Sequence, residues 1–369
     1  MKIGIDIRNL SKPLTGIGRY TFELCFQLAR MPNTHLYLYS PSSLHADVDT
    51  SCFQNHVIRC GGIHSKLHRQ LWGETTLVKL AHVDKLDIYW GPAHRLPYFL
   101  SKKIPSVVTI HDLVYKYHPE TMRIETRILD AIQMPLALKQ ATHVTTVSKA
   151  TKLSVLKEFK CSESKISVIY NGVYSKEANN TVINDLKNYI LFVGTLEPRK
   201  NLEFILKAYS LLSDEIKQTT PFVIVGGKGW GDINLKRVIA ELSLNQFVHL
   251  LGYVSDQTLQ SLYANALFLA MPSIYEGFGL PLIESMSYGV PVLTSNTSSM
   301  PEIAGNAGYI VNPFDVASIQ IGLIKMITDN ALRKSLASHA KENAMQFSWE
   351  NSAIKLRSIF EDAILERKI

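Results

Sequence analysis

Several things that this sequence lacks narrow what it can be. It has four cysteines, Cys25, Cys52, Cys60 and Cys161, with no Cys-x-x-Cys pair and no spacing suited to a metal. A zinc module and a disulfide framework are thereby excluded, and reduced, mostly buried thiols are expected. No apolar run approaches the roughly eighteen residues of a membrane-crossing helix, and the longest, PSVVTI and ILFVG, have the length of buried strands. Asp6 and Arg8 stand where a secretion signal needs an apolar core, so a cytoplasmic protein is expected. Zinc-finger spacing, an RRM-like aromatic strand and Lys/Arg clusters interleaved with aromatics are all missing, which sets nucleic acid aside. No short-period repeat or low-complexity segment is visible.

Positive charge is in modest excess, 39 Lys+Arg against 32 Asp+Glu, and it is unevenly placed. Residues 1–175 hold 22 Lys+Arg against 13 Asp+Glu, whereas residues 176–369 hold 17 against 19. A basic half suits an anionic substrate or an anionic membrane, or merely keeps a surface soluble, and charge alone does not choose among these.

With 46% hydrophobic and 19% charged residues over 369 positions, the chain is an ordinary globular protein, long enough for two domains. Short β-rich runs alternate with helical patterns: KIGIDI, HLYLYS, DIYW, SVVTI, HVTTVS and KISVIY, then YILFVG, PFVIVGG, VHLLGYV, ALFLAMP and PVLTS. That rhythm predicts α/β architecture in two doubly wound, Rossmann-like lobes with parallel sheets. The polar stretch 175–187 divides them, giving domains over 1–175 and 185–349, with a last helix over 350–369 returning to the first. Ligands of such sheets lie beyond the carboxyl ends of the strands, here in a central cleft.

Four segments there have chemistry to offer. EGFGLPLIE, residues 276–284, follows an apolar strand. Gly277 and Gly279 allow close backbone approach, Phe278 and Leu280 complete the turn, and the amides opening the next helix suit a phosphate. Glu276 and Glu284 bracket this turn, one for sugar hydroxyls and the other for a ribose; a glycine turn with two solvated glutamates is the alternative for a lone match. GTLEPRKN sets Arg199 and Lys200 side by side, a fork and a point charge suited to a diphosphate, with Asn201 placed to cap the following helix. LTGIGRY puts Gly16 and Gly18 in a compact loop before a helix, a weak signal without a third glycine. VIVGGKGWGD likewise fails the GxGxxG pattern, having Asp232 at the third position. VVTIHDL ends a buried strand on His111 and Asp112, where a core histidine with a backbone partner is the alternative to a role in the cleft.

Taken together, GIGRY, TIHDL, TTVSKAT, KISVIYNGV, GTLEPRKN, VGGKGW, LLGYVSD, PSIYEGFGLPLIESMSYGVPVLTS and FSWE resemble the retaining glycosyltransferases of family four, which have the GT-B fold. The match runs in order along nearly the whole chain. It implies a nucleotide-sugar site in the C-terminal lobe and an acceptor site in the N-terminal lobe. Arg199 and Lys200 then serve the diphosphate, Glu284 the ribose, and Glu276 with the 277–280 backbone the sugar and phosphate. Gly16 and Gly18 match a phosphate-side loop, and His111 a histidine beside the transferred sugar. HRQLWGETTLVKL, DIYWGPAHRLP and SVVTIHDLVYKYHPETM are similar to bacterial O-antigen and exopolysaccharide mannosyltransferases.

The expectation is retaining transfer of mannose from GDP-mannose to a lipid-linked glycan at the inner face of the cytoplasmic membrane, with no cofactor and no metal. The amphipathic segment 63–80 is a candidate for peripheral contact with anionic lipid, a core-facing helix being its alternative. UDP-glucose or a dTDP-6-deoxyhexose as donor, a sugar-nucleotide epimerase, an NAD enzyme and a noncatalytic sugar-nucleotide-binding subunit are the rival readings.

Overall fold

The computed structural model describes residues 1–63, 65–174, 188–227, 229 and 234–367. The chain divides into two compact units: Met1–Tyr115 with Ile124–Gly172 and Ser348–Ile369, and Lys116–Arg123 with Val173–Phe347. The second unit is thus inserted into the first, which the chain leaves after Gly172 and re-enters at Ser348. Residues 175–187, the polar stretch read as the junction, lie outside the described residues.

The first unit is built on a seven-stranded parallel sheet of β1 (Lys2–Asp6), β2 (His35–Ser40), β3 (Val57–Cys60), β4 (Ile88–Gly91), β5 (Ser106–Ile110), β6 (His143–Thr146) and β7 (Ile166–Val168), ordered 3-2-1-4-5-6-7. The second holds a six-stranded parallel sheet of β8 (Ile190–Val193), β9 (Phe222–Val225), β10 (Val248–Gly252), β11 (Phe268–Met271), β12 (Val292–Ser295) and β13 (Gly308–Val311), ordered 10-9-8-11-12-13. The central strands ILFV, FVIV and FLAM are apolar at every position because both faces of such a sheet are covered, and all their residues are buried. Every run read as a strand from sequence is one; β3 and β13 had not been anticipated.

Local chemistry explains the element ends. FSWE opens the last helix, Trp349–Glu366: the Ser348 hydroxyl accepts from the Asn351 amide, Trp349 is buried and Glu350 lies in the positive first turn. Leu356, Phe360 and Ala363 form its buried stripe, with Phe360 6.1 Å from Trp90, while the Ser352 hydroxyl donates to the Tyr170 carbonyl at 2.7 Å. Ile354 on the same helix is exposed.

Three further readings are corrected. Gly16 and Gly18 lie not in a loop but in the first turn of the helix Gly16–Ala29, and neither has positive φ. Segment 63–80 is not one helix. Thr75 (φ −120°, ψ −73°) breaks it into Lys66–Glu74 and Thr76–Val83, with Trp72 in the core and Leu67 and Leu71 exposed. Of the cysteines only Cys25 is fully buried, and Cys60 is exposed.

Candidate functional site

The order of the second sheet places its topological switch point between β8 and β11, where connections depart in opposite directions and leave a crevice beyond the carboxyl ends. Arg199 and Lys200 follow β8, and Glu276 to Gly279 follow β11. Sequence-distant groups meet here. Glu276 is buried, its Oε2 accepts from Arg199 Nη1 at 2.7 Å, and its Oε1 pairs with Lys200 Nζ. Arg199 Nε also donates to Glu197 Oε2 at 2.9 Å. Burial by itself would raise the Glu276 pKa; the two cations outweigh it and hold the carboxyl at about 2, against the ordinary 4.5. Lys200, also buried, is shifted down by desolvation, which Glu276 opposes.

The loop carrying Glu276 is pinned by a segment that sequence reading passed over. After β12 the run Thr297–Ser298–Ser299 turns its hydroxyls onto it. The Glu276 amide donates to Ser298 Oγ at 3.0 Å, and Ser299 Oγ reaches both the Glu276 and Phe278 carbonyls, at 3.0 and 2.9 Å. Thr297 Oγ1 donates to the Ile274 carbonyl at 2.8 Å. A cluster of short hydroxyl residues directly after a strand was the available signal. Gly279 then takes φ 106°, a conformation open to glycine, and starts the helix Leu280–Ser287. A second glycine pair sets the floor of the β8 and β9 ends: a Cβ on Gly226 (φ 154°) would stand 1.8 Å from the Gly194 carbonyl oxygen.

Glu284, half-buried on the Leu280–Ser287 helix, accepts from the Tyr263 hydroxyl at 2.7 Å. Asn201 is no helix cap by its side chain. It adopts φ 64°, and its Nδ2 donates to the Pro272 and Pro313 carbonyls at 3.0 and 2.7 Å, tying the loops after β8, β11 and β13 together. Tyr117 and His118, from the excursion Lys116–Arg123, set their rings 5.7 and 5.5 Å from Tyr275, the neighbour of Glu276. Asp232 lies outside the described residues.

His111, Gly16 and Gly18 belong to the first unit. His111 is buried at the end of β5, and its Nε2 lies 2.7 Å from the Pro92 carbonyl, which can only accept. Its amide donates to His94 Nε2 at 3.1 Å, with the two rings stacked at 5.3 Å. Burial, and after it His94, push the His111 pKa well down, so the ring is neutral with its proton on Nε2.

The sequence contains one Asp-x-Asp triplet, Asp47–Val48–Asp49, a metal-ligand pattern that the reading above did not single out. Asp47 pairs with His45 at 3.2 Å and Asp49 accepts from the Ser51 amide. Among the described residues no three His, Cys, Asp or Glu side chains are grouped as metal ligands.

Two doubly wound α/β units, with cations and a glycine-turned helix start at the switch point of the second, define a GT-B glycosyltransferase. The sequence matches the description Glycosyltransferase Family 4 over residues 14–177 and Glycosyl transferases group 1 over residues 174–343. The chain belongs to this family. It is 32% identical to the O-antigen chain mannosyltransferase B of Escherichia coli, with 95% of this chain and 97% of that one covered. To the Salmonella typhimurium O-antigen chain mannosyltransferase RfbU it is 34% identical over 58% of each. Against the E. coli serotype-specific mannosyltransferase WbdA it is 37% identical over 45% of this chain and only 20% of that protein's length. Among solved structures, sucrose-phosphate synthase of Thermosynechococcus elongatus superposes with a TM-score of 0.79 at 19% identity, covering 99% of both chains. Anabaena HepE, solved with UDP and glucose, superposes with a TM-score of 0.75 at 19% identity, covering 98% of this chain and 100% of that one.

Proposed function

We propose that the enzyme transfers mannose from GDP-mannose, with retention of anomeric configuration, to a lipid-linked glycan acceptor in O-antigen assembly. The observation that carries the reading is the Arg199–Lys200 pair at the switch point of the second sheet, beside the Gly279 helix start. Cations and helix-start amides at that point suit a nucleoside diphosphate and stabilise the charge that builds on it as the glycosidic bond breaks. The name of the E. coli relative aligned over almost its full length supports mannose and O-antigen.

In this reading the donor diphosphate takes over part of the two cations' charge from Glu276, whose carboxylate then accepts from sugar hydroxyls, while Glu284 holds the ribose. A carboxylate clasped by two cations is a weak nucleophile, which disfavours a glycosyl-enzyme on Glu276. The acceptor therefore attacks on the face from which the diphosphate leaves, and the departing phosphate takes its proton. His111, neutral and donating to Pro92, has Nδ1 left as an acceptor and contacts the sugar without carrying charge. Arg199, Lys200 and the helix-start amides supply the neutralisation that a divalent metal supplies elsewhere.

Nucleotide release, followed with GDP-mannose, UDP-glucose and dTDP-6-deoxyhexoses, with and without a lipid-linked acceptor, tests the donor. Activity with a uridine or thymidine donor and none with GDP-mannose overturns the donor assignment. Binding without release in every case makes the chain a noncatalytic subunit. NMR of the product anomer tests retention, and activity in excess EDTA tests metal independence.

A further inference from the structure

His111 is held from a turn that lies seventeen residues earlier in the chain. The segment Pro92–Ala93–His94 leaves β4 and folds back onto the end of β5. Gly91 permits the fold, because a Cβ there would run into the Arg95 carbonyl. His94 adopts φ 62°, a left-handed conformation that few residues other than glycine take and that persists only where the surroundings determine it. Hydrogen bonds do so here. The His94 amide donates to the Thr109 carbonyl at 2.9 Å, the His111 amide donates to His94 Nε2 at 3.1 Å, and His111 Nε2 donates to the Pro92 carbonyl at 2.7 Å. Each histidine thus holds the other's loop. The bonds also fix both tautomers: His94 Nε2 keeps its lone pair for an amide, so the His94 proton sits on Nδ1, and His111 carries its own on Nε2. The His94 ring stacks on the His111 ring at 5.3 Å, Tyr20 meets the His111 ring edge-on at 4.8 Å, and Thr151 Oγ1 donates to the His111 carbonyl at 3.1 Å. A turn that needed only φ 62° would be met at least cost by glycine or asparagine. A buried histidine there, with a ring nitrogen on the His111 amide, serves its neighbour.

We propose that His94 is a positioning residue of the transfer reaction: through the His111 amide and the turn that carries the Pro92 carbonyl, it sets the orientation of the His111 ring, so that Nδ1 keeps one direction as the glycosidic bond breaks. The inference rests on the reading that places His111 beside the transferred sugar. His94 itself touches no reactant. A misplacement of about 1 Å in such a group costs up to roughly a hundredfold in rate, a loss felt in the transition state more than in the bound substrate.

Two variants of the full-length protein separate the hydrogen bond from the packing. His94→Phe keeps a ring and loses the acceptor, whereas His94→Gln loses the ring and brings a carbonyl oxygen near the place of Nε2. With GDP-mannose and a lipid-linked acceptor, His94→Phe should lower kcat roughly tenfold or more while the donor KM holds, and His94→Gln should recover most of that loss. Nitrogen-15 NMR of the histidine rings in the ligand-free protein needs no turnover and stands whichever donor the enzyme takes. His111 should show a single tautomer, protonated at Nε2, in wild type and His94→Gln, and an averaged one in His94→Phe. Circular dichroism checks the fold; should His94→Phe not fold, His94→Gly, which suits φ 62° and also lacks the acceptor, takes its place. Wild-type kcat in the variant without the acceptor, a His94→Gln variant as slow as it, or one unchanged His111 tautomer throughout overturns the proposal. His111→Ala keeps the two readings apart. At wild-type kcat it removes the role of His111 and with it that of His94; at a lowered kcat beside an unaffected His94→Phe it removes that of His94 alone.

Discussion

Replacing Glu276 by glutamine removes one negative charge from a place where two cations converge, leaving the shape almost unchanged. Lys200 is buried and has Glu276 as its carboxylate partner; Arg199 keeps Glu197. Breaking a buried pair by removing one partner costs about 3–5 kcal/mol, because a charge is left in a poorly solvating place. The depressed pKa of Glu276 points the same way, since the two cations more than offset the cost of burying its charge. For a unit of this size each kcal/mol moves Tm by roughly 2–4 °C, so the variant's second unit should melt roughly 6–20 °C lower. The contribution also has a pH signature. Because the folded-state pKa is depressed, its stabilisation is complete above the unfolded carboxylate pKa and is lost as pH falls toward about 2. Calorimetry of wild type and Glu276→Gln from neutral to acid pH should therefore show the gap between them closing across that window. Added GDP should restore Tm in the variant by more than it raises it in wild type, since the freed cations gain a diphosphate partner. A variant that melts with wild type at neutral pH, or a gap that persists undiminished in acid, would refute the reasoning.

Arg199→Ala and Lys200→Ala should each lower turnover with GDP-mannose roughly ten- to a hundredfold, the loss of one charge-assisted contact of about 1.5–3 kcal/mol, with the fold retained by circular dichroism. Wild-type rates in both remove the diphosphate assignment. Ser299→Ala leaves two carbonyls without their donor and should cost about 1–3 kcal/mol in denaturant unfolding, with kcat falling because the Glu276 loop loosens; an unchanged midpoint and unchanged kcat mean that the serine does not hold the loop. Gly226→Ala places a Cβ against the Gly194 carbonyl, a clash of backbone with backbone, and soluble expression should collapse while Gly227→Ala, with open space around it, expresses normally.

The parallel sheets were legible because a strand covered on both faces must be apolar throughout, and FVIV or FLAM can be little else. Edge strands escape that logic. β3 is a half-exposed VIRC with Arg59 in it and β13 opens on a glycine, so neither has the signature of the centre. The break at Thr75 was hidden because the hydrophobic spacing runs through it, and only the backbone angles record it. At the site, the residue types were readable one by one, but the ion pairs were not. Arg199 and Glu276 are separated by 77 positions and meet only because β8 and β11 are neighbours in the sheet. Sequence assigned the cations to one ligand group and the carboxylate to another, and gave no hint that they first satisfy each other. His111 has the backbone partner that was weighed against a cleft role, a matter of where Pro92 falls after β4.

The insertion of one unit into the other has a consequence for how the protein is made. A ribosome translating this chain delivers the first sheet early, yet Tyr20 on the helix Gly16–Ala29 and Trp90 on β4 wait for Trp349 and Phe360, which follow the whole second unit. The inserted unit, apart from the short excursion 116–123, is contiguous and can close as soon as Phe347 clears the exit tunnel. The order of completion therefore inverts the order of synthesis: the half that emerges second is finished first, and the half that emerges first stays incomplete until the segment from Ser348 follows.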